Sequence, residues 1–577
     1  MTAVIELSES RKALLGASGN AVVLGGPGSG KTTIALLKAD QEIRAGILKS
    51  GQKILFLSFA RATIARVAQH AGKLLSAKDF SCLEVNTYHG FTWNLLRSHG
   101  YLMREGRRIT LLPPPEAAAK LSAIKSEGDR LSEKRRLFVE DGLLHFDLFA
   151  ETAAALLARS NALSQIISDA YPFIILDEFQ DTNQDEWALI QSLGQRSKIL
   201  ALADAEQRIY EFRGADPRRI GEFISVFSPQ TFDFGSENHR SSGTDIADFG
   251  NDLLTGANKG KAYTHVAVDG YRFYRGLNQL YPLKTAVIKS LKRLIKDGGD
   301  GWSLAVLVPT KQLMLQVSDY LGVATDGLPV LPHDVALDTE APSLAAVLIA
   351  SLLEGGTSSG IIAQRLINNL CVHIRGRKGS KLPNQVELDL VGALDGFLAS
   401  GDIKGPKKKK LITAAHALAE KRFGTELFGD PWVDWLSMRD LLDASGIDVL
   451  QQVASDAKYL RLLHKGAALR SRLSELWRST GSYFGAESAV RDALVQEHFS
   501  ASLKDWKGIH VMTIHKSKGK EFSEVVIYEG SHQGKILRGN ASDRERGQAL
   551  LALRVGVTRA MRRATILTPA NDPCSFL

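Results

Sequence analysis

Residues 21–32 read Ala-Val-Val-Leu-Gly-Gly-Pro-Gly-Ser-Gly-Lys-Thr, and this stretch decides the fold. Its last eight residues place the glycines, the lysine and the threonine at the spacing G-x-x-x-x-G-K-[ST], which is the pattern of a phosphate-binding loop. An apolar run, Ala21 to Leu24, precedes the loop, and a helical pattern, Ile34 to Lys38, follows it. A buried strand that continues through such a loop into a helix predicts a parallel α/β sheet.

The loop also predicts a site for the phosphates of a nucleotide. Its glycines allow backbone N–H groups to wrap phosphate oxygens at the helix N-terminus. Lys31 can reach the β and γ oxygens, and the Thr32 hydroxyl can hold Mg²⁺. The predicted nucleotide site takes in every residue from the second glycine onward: Gly26, Pro27, Gly28, Ser29, Gly30, Lys31, Thr32 and Thr33.

Two carboxylates, Asp177 and Glu178, come directly after the apolar run Phe173 to Leu176. Open α/β sheets bind ligands at the carboxyl ends of their strands, so this pair is expected at the same edge as the loop. We assign Asp177 to Mg²⁺ and Glu178 to general-base work on the attacking water. Alone, such a pair is more often an exposed loop, and it is the loop around Lys31 that favours the catalytic interpretation.

The chain has 577 residues, and division by about 150 residues per domain suggests roughly four units. Short apolar runs typical of buried parallel strands occur in two zones, which predicts two α/β lobes. The runs of the first zone are Ala21 to Leu24, Lys53 to Phe59, Phe173 to Leu176 and Lys198 to Leu202, and those of the second are Ser303 to Val308, Ile509 to Ile514, Glu524 to Tyr528 and Ala564 to Leu567.

Each lobe is interrupted by a segment without strand-like sequence, which predicts two helical inserts. Helical patterns in these inserts are Glu116 to Ile124, Ser343 to Leu353, Leu411 to Lys421 and Tyr459 to Trp477. The predicted first lobe comprises residues 1–96 and 161–230 around an insert at 97–160, and the second comprises 231–341 and 501–577 around an insert at 342–500.

The charge balance permits a polyanionic partner. Lysine and arginine number 72 against 63 aspartate and glutamate, a formal net charge of +9. Basic runs that could contact duplex phosphates lie in the inserts, although a run of charge is more often a solvated face. They are Arg104 to Arg108, Lys134 to Arg136, Lys407 to Lys410, which is predicted to be an exposed loop, and Lys458 to Arg472.

Cysteine content and hydropathy predict a cytoplasmic protein without a membrane anchor. Cys82, Cys371 and Cys574 are too few and too scattered for a disulfide framework, which favours a reducing compartment. The first residues lack an apolar signal core, and the longest apolar stretch, Leu344 to Leu353, is too short to span a membrane.

Residues 177–183, Asp-Glu-Phe-Gln-Asp-Thr-Asn, begin an ordered series of motifs that resembles the UvrD/Rep/PcrA family of superfamily 1A DNA helicases. This stretch is similar to motif II of that family. The other similar segments are Ser58 to Arg61 for motif Ia, Asn86 to Phe91 for Ib, Asp204 to Ala215 for III, Glu237 to Ser241 for IV, Met512 to Phe522 for V and Val557 to Ala560 for VI. The resemblance implies two RecA-like P-loop NTPase lobes with parallel sheets, each interrupted by a mainly helical accessory domain.

The resemblance also implies ATP and Mg²⁺ as cofactors and gives roles to further residues. Gln207 is similar to the sensor of the γ-phosphate, and Glu521 to a residue near the ribose. Arg240 and Arg559 are similar to arginines that neutralise charge on the transferring phosphoryl group, as arginine fingers do. The implied catalytic set is Lys31, Glu178, Gln207, Arg240 and Arg559.

For nucleic acid, the resemblance implies a single-strand groove across both lobes. Aromatic faces in such a groove stack on any base, while hydroxyls and cations contact phosphates. Phe59 and Tyr210 alternate with apolar neighbours, so a place in the core remains open for both. The implied groove residues are Phe59, Thr87, His89, Tyr210, Phe212, Thr513 and His515.

The sequence departs from the family at two positions that concern the base. The family's adenine-reading glutamine is expected around Arg11, within residues 7–12, where this sequence has no glutamine, and His239 stands where the family usually has a tyrosine that stacks on the base. Both changes predict relaxed base choice. The first insert is also shorter than usual, which puts processive unwinding in question and leaves translocation intact.

These features predict an ATP-dependent DNA helicase or translocase that moves 3′–5′ along single-stranded DNA and unwinds tailed duplexes in repair or recombination. One alternative is a DNA-sensing ATPase subunit that regulates a separate nuclease, as in antiphage systems of the Gabija kind, because no nuclease domain is recognisable here. A further alternative is an RNA motor. Strand displacement by the purified protein, and the nucleic acid that stimulates ATP hydrolysis, separate the three.

Overall fold

The computed structural model describes residues 8–26, 28–59, 61–204, 216, 218–235, 243–273, 275–297, 301–336, 340–379, 382–458, 468–499, 507–531, 534–537, 539 and 541–577. Its strands are β1 (Ala21–Leu24), β2 (Ile54–Ser58), β3 (Leu83–Thr87), β4 (Thr110–Leu112), β5 (Leu143–His145), β6 (Phe173–Leu176), β7 (Lys198–Ala203), β8 (Gln230–Asp233), β9 (Val266–Tyr271), β10 (Ser303–Val308), β11 (His333–Val335), β12 (Gly508–Thr513), β13 (Phe522–Tyr528) and β14 (Ala560–Pro569).

Helices connect these strands, and the long segment of chain that follows β11 and precedes β12 in sequence contains, over its described residues, helices only. They are α1 (Glu9–Gly16), α2 (Lys31–Arg44), α3 (Arg61–Leu74), α4 (Ala77–Ser81), α5 (Tyr88–His99), α6 (Pro114–Lys120), α7 (Glu127–Arg136), α8 (Phe149–Arg159), α9 (Asn161–Ala170), α10 (Gln184–Gly194), α11 (Arg219–Phe227), α12 (Ile246–Thr255), α13 (Tyr281–Lys296), α14 (Lys311–Leu321), α15 (Glu340–Glu354), α16 (Ser359–Gly376), α17 (Gln385–Ser400), α18 (Pro406–Phe423), α19 (Pro431–Asp443), α20 (Asp448–Ala457), α21 (Ala468–Thr480), α22 (Ala486–Phe499) and α23 (Asp543–Val557).

In the described part of the chain, the first sheet has six parallel strands in the order β3-β2-β6-β7-β1-β8. Its central strands confirm the four apolar runs predicted in the first zone. β1 and β6 are short and apolar throughout because helices cover both faces of a parallel sheet. β3 and β8 were not predicted. Both are edge strands with partly exposed, polar residues, so they lack the apolar run that marks a central strand.

The second sheet, counted over the same residues, is also six-stranded and parallel, in the order β11-β12-β10-β13-β14-β9. The four apolar runs of the second zone are confirmed as β10, β12, β13 and β14. β9 and β11 again lie at the edges, and neither was predicted. The fold is therefore α/β with parallel sheets.

Each sheet has its own apolar core. In the first, Ile34 and Leu36 of α2 pack with Val23, Phe56 and Ile175 of the central strands. Each such side chain contributes about 1.5–3 kcal/mol when fully buried. In the second, side chains of α12 and α23 pack against β10, β13 and β14. These cores fix the carboxyl ends of the strands, where the motif residues lie.

The chain divides into two compact units by its internal contacts. The first comprises residues 1–92, 153–336 and 501–577 and contains both sheets. The second comprises residues 93–152 and 337–500. At the centre of the second unit lies α15, which is buried from Pro342 to Leu353 because it is apolar on all sides. The division of the chain into two lobes and two inserts remains a prediction.

Two expectations about the inserts are wrong. Strand structure does not vanish between 97 and 160, since β4 pairs with β5 in a small parallel sheet. Strands of three residues are too short to give a readable pattern. Lys407 to Lys410 is not a loop either, because these residues form the first turn of α18. Among the helices that the structure describes, none is both long enough and apolar enough to cross a membrane.

Candidate nucleotide and nucleic-acid site

The phosphate-binding loop joins β1 to α2. Gly28 and Gly30 have φ angles of 78° and 82°, a left-handed conformation that glycine adopts without steric cost. Among the described residues no side chain caps the N-terminus of α2, and the N-terminus of a helix is a site that favours an anion. The Lys31 Nζ donates to the carbonyl oxygens of Gly25 and Gly26 at 2.7 and 3.0 Å.

Backbone hydrogen bonds and close packing hold the loop in place. The Gly25 N–H donates to the Ala203 carbonyl at 3.2 Å, and the Gly26 N–H donates to the Gly235 carbonyl at 2.9 Å. A Cβ at Gly25 would lie 2.7 Å from Ser29 Oγ, so a larger residue does not fit there. The Ser29 hydroxyl is buried and, within the described residues, has no hydrogen-bond partner. The cradle therefore fits nucleotide phosphates. Pro27 lies outside the described residues.

Asp177 and Glu178 follow β6, at the edge of the sheet from which the loop also emerges. Asp177 is buried, and the Ser58 hydroxyl at the end of β2 donates to its Oδ2 at 3.3 Å. Its backbone N–H donates to the Leu57 carbonyl at 2.8 Å, which fixes the position of the carboxylate. Because β2 and β6 are neighbours, the sheet itself brings Ser58 to Asp177.

Glu178 has a strained backbone. Its φ and ψ angles are 54° and 37°, in the left-handed region that costs a non-glycine residue about 1–2 kcal/mol. Strain of this kind persists where the surroundings impose it, and functional sites are the usual place. The sharp turn separates the direction of the Glu178 side chain from that of Asp177 and leads into a single 3₁₀ turn, Phe179–Asp181.

Positive charge surrounds the Glu178 carboxylate. The Gln180 Nε2 donates to its Oε2 at 2.6 Å, and the Lys518 Nζ lies 3.9 Å from the same oxygen. Burial raises the pKa of Glu178, but Lys518, Lys31 and Arg559, together with the Gln180 hydrogen bond, outweigh burial and hold it well below its usual range. Glu178 is therefore a carboxylate at neutral pH.

Lys518 links the two sheets. It lies in the turn after β12 and forms an ion pair with Asp181, which follows β6. Their side chains are only 3% and 1% exposed, so the pair is shielded from water. Burial raises the pKa of Asp181, and the Lys518 charge opposes that rise. No role could be predicted for Lys518 or Asp181 from their local sequence, and only their places inside the segments similar to motifs V and II could have indicated one.

Gln180 links the ends of two neighbouring strands. Besides donating to Glu178, its Oε1 accepts from the Asp204 N–H at 3.0 Å, directly after β7. Asp204 opens the segment assigned to motif III. Gln180 therefore connects the Glu178 carboxylate with the start of that segment, a contact that the sequence did not reveal.

The second sheet contributes Arg559 to the same site. Arg559 lies between α23 and β14, is buried, and donates from Nε to the Val555 carbonyl at 3.0 Å. Its charge acts on Glu178, so the structure brings Lys31, Glu178 and Arg559 into one electrostatic environment. Glu521 is partly buried directly before β13. Gln207 and Arg240 lie outside the described residues.

The groove residues of the first sheet lie at adjacent strand ends. Ser58 pairs in register with Thr87, so Phe59 and Thr87 share one edge. The partly buried Phe59 ring stacks on the buried ring of Tyr88, with 4.5 Å between the ring centres. The Thr87 hydroxyl accepts from the Gly90 N–H at 2.9 Å, and His89 is half-buried in the first turn of α5.

The groove residues of the second sheet lie at the end of β12. Thr513 is its last residue and is half-buried. His515 is exposed in the following 3₁₀ turn, and neighbouring protein atoms partly desolvate its ring and lower its pKa. Tyr210 and Phe212 lie outside the described residues.

The chain is similar in sequence to known DNA helicases. The family model described as the UvrD/REP helicase N-terminal domain matches residues 7–138 and 120–228. DNA helicase II of Salmonella typhimurium and of Escherichia coli are each 23% identical to the chain, with 97% of this chain and 83% of each relative covered. The chain is UvrD-like. ATP-dependent DNA helicase UvrD2 of Mycobacterium tuberculosis is 28% identical over 34% of this chain and 28% of that relative.

The UvrD-like assignment rests on different evidence for the two sheets. The matched domain ends at residue 228, so it covers the loop, the Asp177-Glu178 pair and most of the first sheet. The alignments with the DNA helicase II relatives, which cover 97% of this chain, extend over the second sheet as well. The contact of Lys518 with Asp181 joins these two parts of the site in the folded protein.

Arg11 departs from the UvrD-like pattern in a way that the structure explains. Its buried guanidinium donates to the Ser29 carbonyl at 3.1 Å and to the Ser8 hydroxyl at 3.3 Å, and it lies 5.0 Å from the centre of the Phe234 ring. Arginine has no hydrogen-bond acceptor, and here its donors support the phosphate loop. The absence of a glutamine near Arg11 is visible in the sequence, whereas this supporting contact is visible only in the structure. His239 lies outside the described residues.

Proposed function

We propose that this chain is an ATP-dependent DNA helicase or translocase of the UvrD type, which hydrolyses ATP to move 3′–5′ along single-stranded DNA and unwinds duplex DNA in repair or recombination. One observation carries the proposal. The Glu178 carboxylate of the first sheet lies among cations from both sheets, Lys31, Lys518 and Arg559. A site assembled from two sheets can link nucleotide turnover to their relative movement.

Within this proposal, the loop from Gly26 to Thr33 holds the phosphates of ATP, and Thr32 and Asp177 hold Mg²⁺. When bound, Mg²⁺ neutralises charge on the phosphates. Glu178 orients and polarises the attacking water. Its low pKa suits it to placing the water, and phosphoryl transfer depends more on placement than on early proton removal. Arg559 stabilises charge that develops on the transferring group.

The remaining assignments complete the proposed cycle. Gln207 senses the γ-phosphate, Arg240 acts beside Arg559, and Glu521 lies near the ribose. The two sheets correspond to RecA-like lobes interrupted by helical accessory domains. ATP closes the lobes, hydrolysis reopens them, and single-stranded DNA advances past the groove residues, which are Phe59, Thr87, His89, Tyr210, Phe212, Thr513 and His515. Aromatic stacking without base readout makes such a track indifferent to sequence.

Strand displacement on tailed duplexes tests the proposal. We expect the purified protein with ATP and Mg²⁺ to displace a strand from a duplex with a 3′ single-stranded tail, and a 5′ tail to support little displacement. Blunt duplex and the omission of ATP serve as controls. Unwinding only from the 5′ tail contradicts the polarity. DNA-stimulated hydrolysis without unwinding favours the nuclease-regulating alternative, and equal stimulation by RNA favours an RNA motor.

Base selectivity provides a second test. Arg11 donates to the loop and has no acceptor with which to recognise the adenine amino group. We therefore expect kcat/KM for GTP to lie within about tenfold of that for ATP, since one hydrogen bond to a base changes the ratio by roughly that factor. Steady-state phosphate release under DNA stimulation measures both values. dATP is the control, since it keeps the adenine and changes only the sugar. A preference for ATP of a hundredfold or more contradicts the expectation.

A further inference from the structure

Ser58 is a buried polar residue at the end of an apolar strand. It is the last residue of β2, and the four residues before it are apolar. Because the side chains of a strand alternate between two faces, Ser58 continues the row of Ile54 and Phe56, which belong to the core of the first sheet. A buried hydroxyl costs free energy unless it has a hydrogen-bond partner. A small apolar residue would avoid that cost, so the serine needs an explanation.

Asp177 occupies the matching place after β6. The row that it continues is formed by Phe173 and Ile175, which belong to the same core as the row of Ser58. β2 and β6 are paired neighbours, so the two rows lie side by side and end at the same edge of the sheet. There the Ser58 hydroxyl donates to Asp177 Oδ2 at 3.3 Å, and both side chains are buried.

The helix α2 covers the face of the sheet on which Ser58 and Asp177 lie. Ile34 and Leu36 of α2 pack in the core that contains both rows. The first turn of α2 carries Thr32, the other residue assigned to Mg²⁺. The hydrogen bond from Ser58 to Asp177 therefore lies on the side of the sheet where the ion is expected.

Several other buried serines use their hydroxyls differently. Ser122, Ser351 and Ser517 each donate to the backbone carbonyl of the third preceding residue. Such a bond is local and needs no charged partner. Ser58 instead donates to a carboxylate that lies 119 residues away in sequence. Local satisfaction of a buried hydroxyl therefore does not explain Ser58.

We propose that Ser58 is a positioning residue for Mg²⁺, and that its hydroxyl orients the Asp177 carboxylate that holds the ion. The proposal rests on the function proposed above. The last side-chain torsion of an aspartate is only weakly restricted, so a hydrogen bond to one oxygen fixes the direction of both. Carboxylates that bind metals are typically held by such hydrogen bonds, whose loss weakens metal binding or activity by about 10- to 100-fold.

The test measures metal affinity without turnover. Mn²⁺ replaces Mg²⁺, because electron paramagnetic resonance detects unbound Mn²⁺ directly, and the full chain is saturated with a non-hydrolysable ATP analogue. In Ser58→Ala we expect the Kd for Mn²⁺ to rise about tenfold or more. Ser58→Thr keeps the hydroxyl and should stay close to the wild-type value. The Mg²⁺ concentration that half-saturates DNA-stimulated hydrolysis should rise in Ser58→Ala by the same factor as the Kd.

Ser303→Ala is the matched control. Ser303 is buried at the start of β10, and its hydroxyl accepts from the Ser523 N–H at 3.0 Å. Its loss should lower thermal stability and leave the Kd for Mn²⁺ unchanged. An unchanged Kd in Ser58→Ala, or an equal rise in Ser303→Ala or in Ser58→Thr, overturns the role of Ser58. A wild-type protein that does not bind the analogue, or binds it without Mn²⁺, overturns the proposed function instead.

Discussion

Glu178→Gln should bind ATP with wild-type affinity while DNA-stimulated turnover falls by about 10²- to 10⁴-fold, the range for loss of an acid–base group. Glutamine preserves the size of the side chain but not the negative charge that orients water. Nucleotide affinity is measured by titration with a fluorescent ATP analogue, and turnover by phosphate release.

Lys31→Ala provides the contrast to Glu178→Gln. The Lys31 ammonium is placed to bind phosphates, so its loss should reduce both ATP affinity and turnover.

Glu9→Gln is the control for Glu178→Gln, because it removes a carboxylate that is exposed and pairs with Lys12. Wild-type turnover in either Lys31→Ala or Glu178→Gln would contradict the assignment of the site.

Lys518→Gln should move the acid limb of the pH–rate profile to higher pH. Lys518 is among the charges that lower the pKa of Glu178, and loss of an opposite charge at this range raises a carboxyl pKa by about one to three. A carboxylate with a lowered pKa is ionised above that pKa and loses its charge as the pH falls through it. In the variant this loss begins at a higher pH, so kcat/KM declines earlier on acidification.

A second variant separates this effect from loss of folding. Removal of Lys518 alone leaves the buried Asp181 without its cation, which costs about 3–5 kcal/mol for a buried pair. Asp181→Asn/Lys518→Gln removes both charges, so it should recover thermal stability and keep the shifted acid limb. Lys261→Gln, which breaks an exposed pair with Asp252, is the control. An acid limb that stays in place in both Lys518 variants would contradict the role of Lys518.

The strands that could be predicted from the sequence are the buried ones. The four central strands of each sheet are apolar because both faces are covered, and all eight were visible as apolar runs. The edge strands β3, β8, β9 and β11 were missed because, among the described residues, one side of each has no partner strand, and an edge position permits polar residues. β4 and β5 were missed because three residues give no periodicity. The pattern therefore indicated the centre of each sheet and not its limits.

The site divides in a similar way. Lys31, Asp177 and Glu178 could be predicted because each lies beside its own strand in a local motif. Lys518 and Asp181 are 337 residues apart in sequence, and only the fold brings them together. Arg11 shows a further limit, because its support of the loop depends on the position of Phe234 in a neighbouring segment. The spacing of residues in the sequence identifies a local motif, whereas an ion pair between residues of two sheets can be found only from the folded structure.

The strand order of the second sheet has a consequence for synthesis on the ribosome. The first sheet has all its strands once Asp233 has been made. In the second sheet, none of the first three strands to be made, β9, β10 and β11, pairs with another of the three. β10 lies between β12 and β13, β11 pairs with β12, and β9 pairs with β14. The apolar strand β10 must therefore wait for about 200 further residues, roughly 10–40 s at typical elongation rates. During that interval, the polar edges β3 and β8 of the finished sheet offer it poor templates, which lowers the risk of mispairing within the nascent chain.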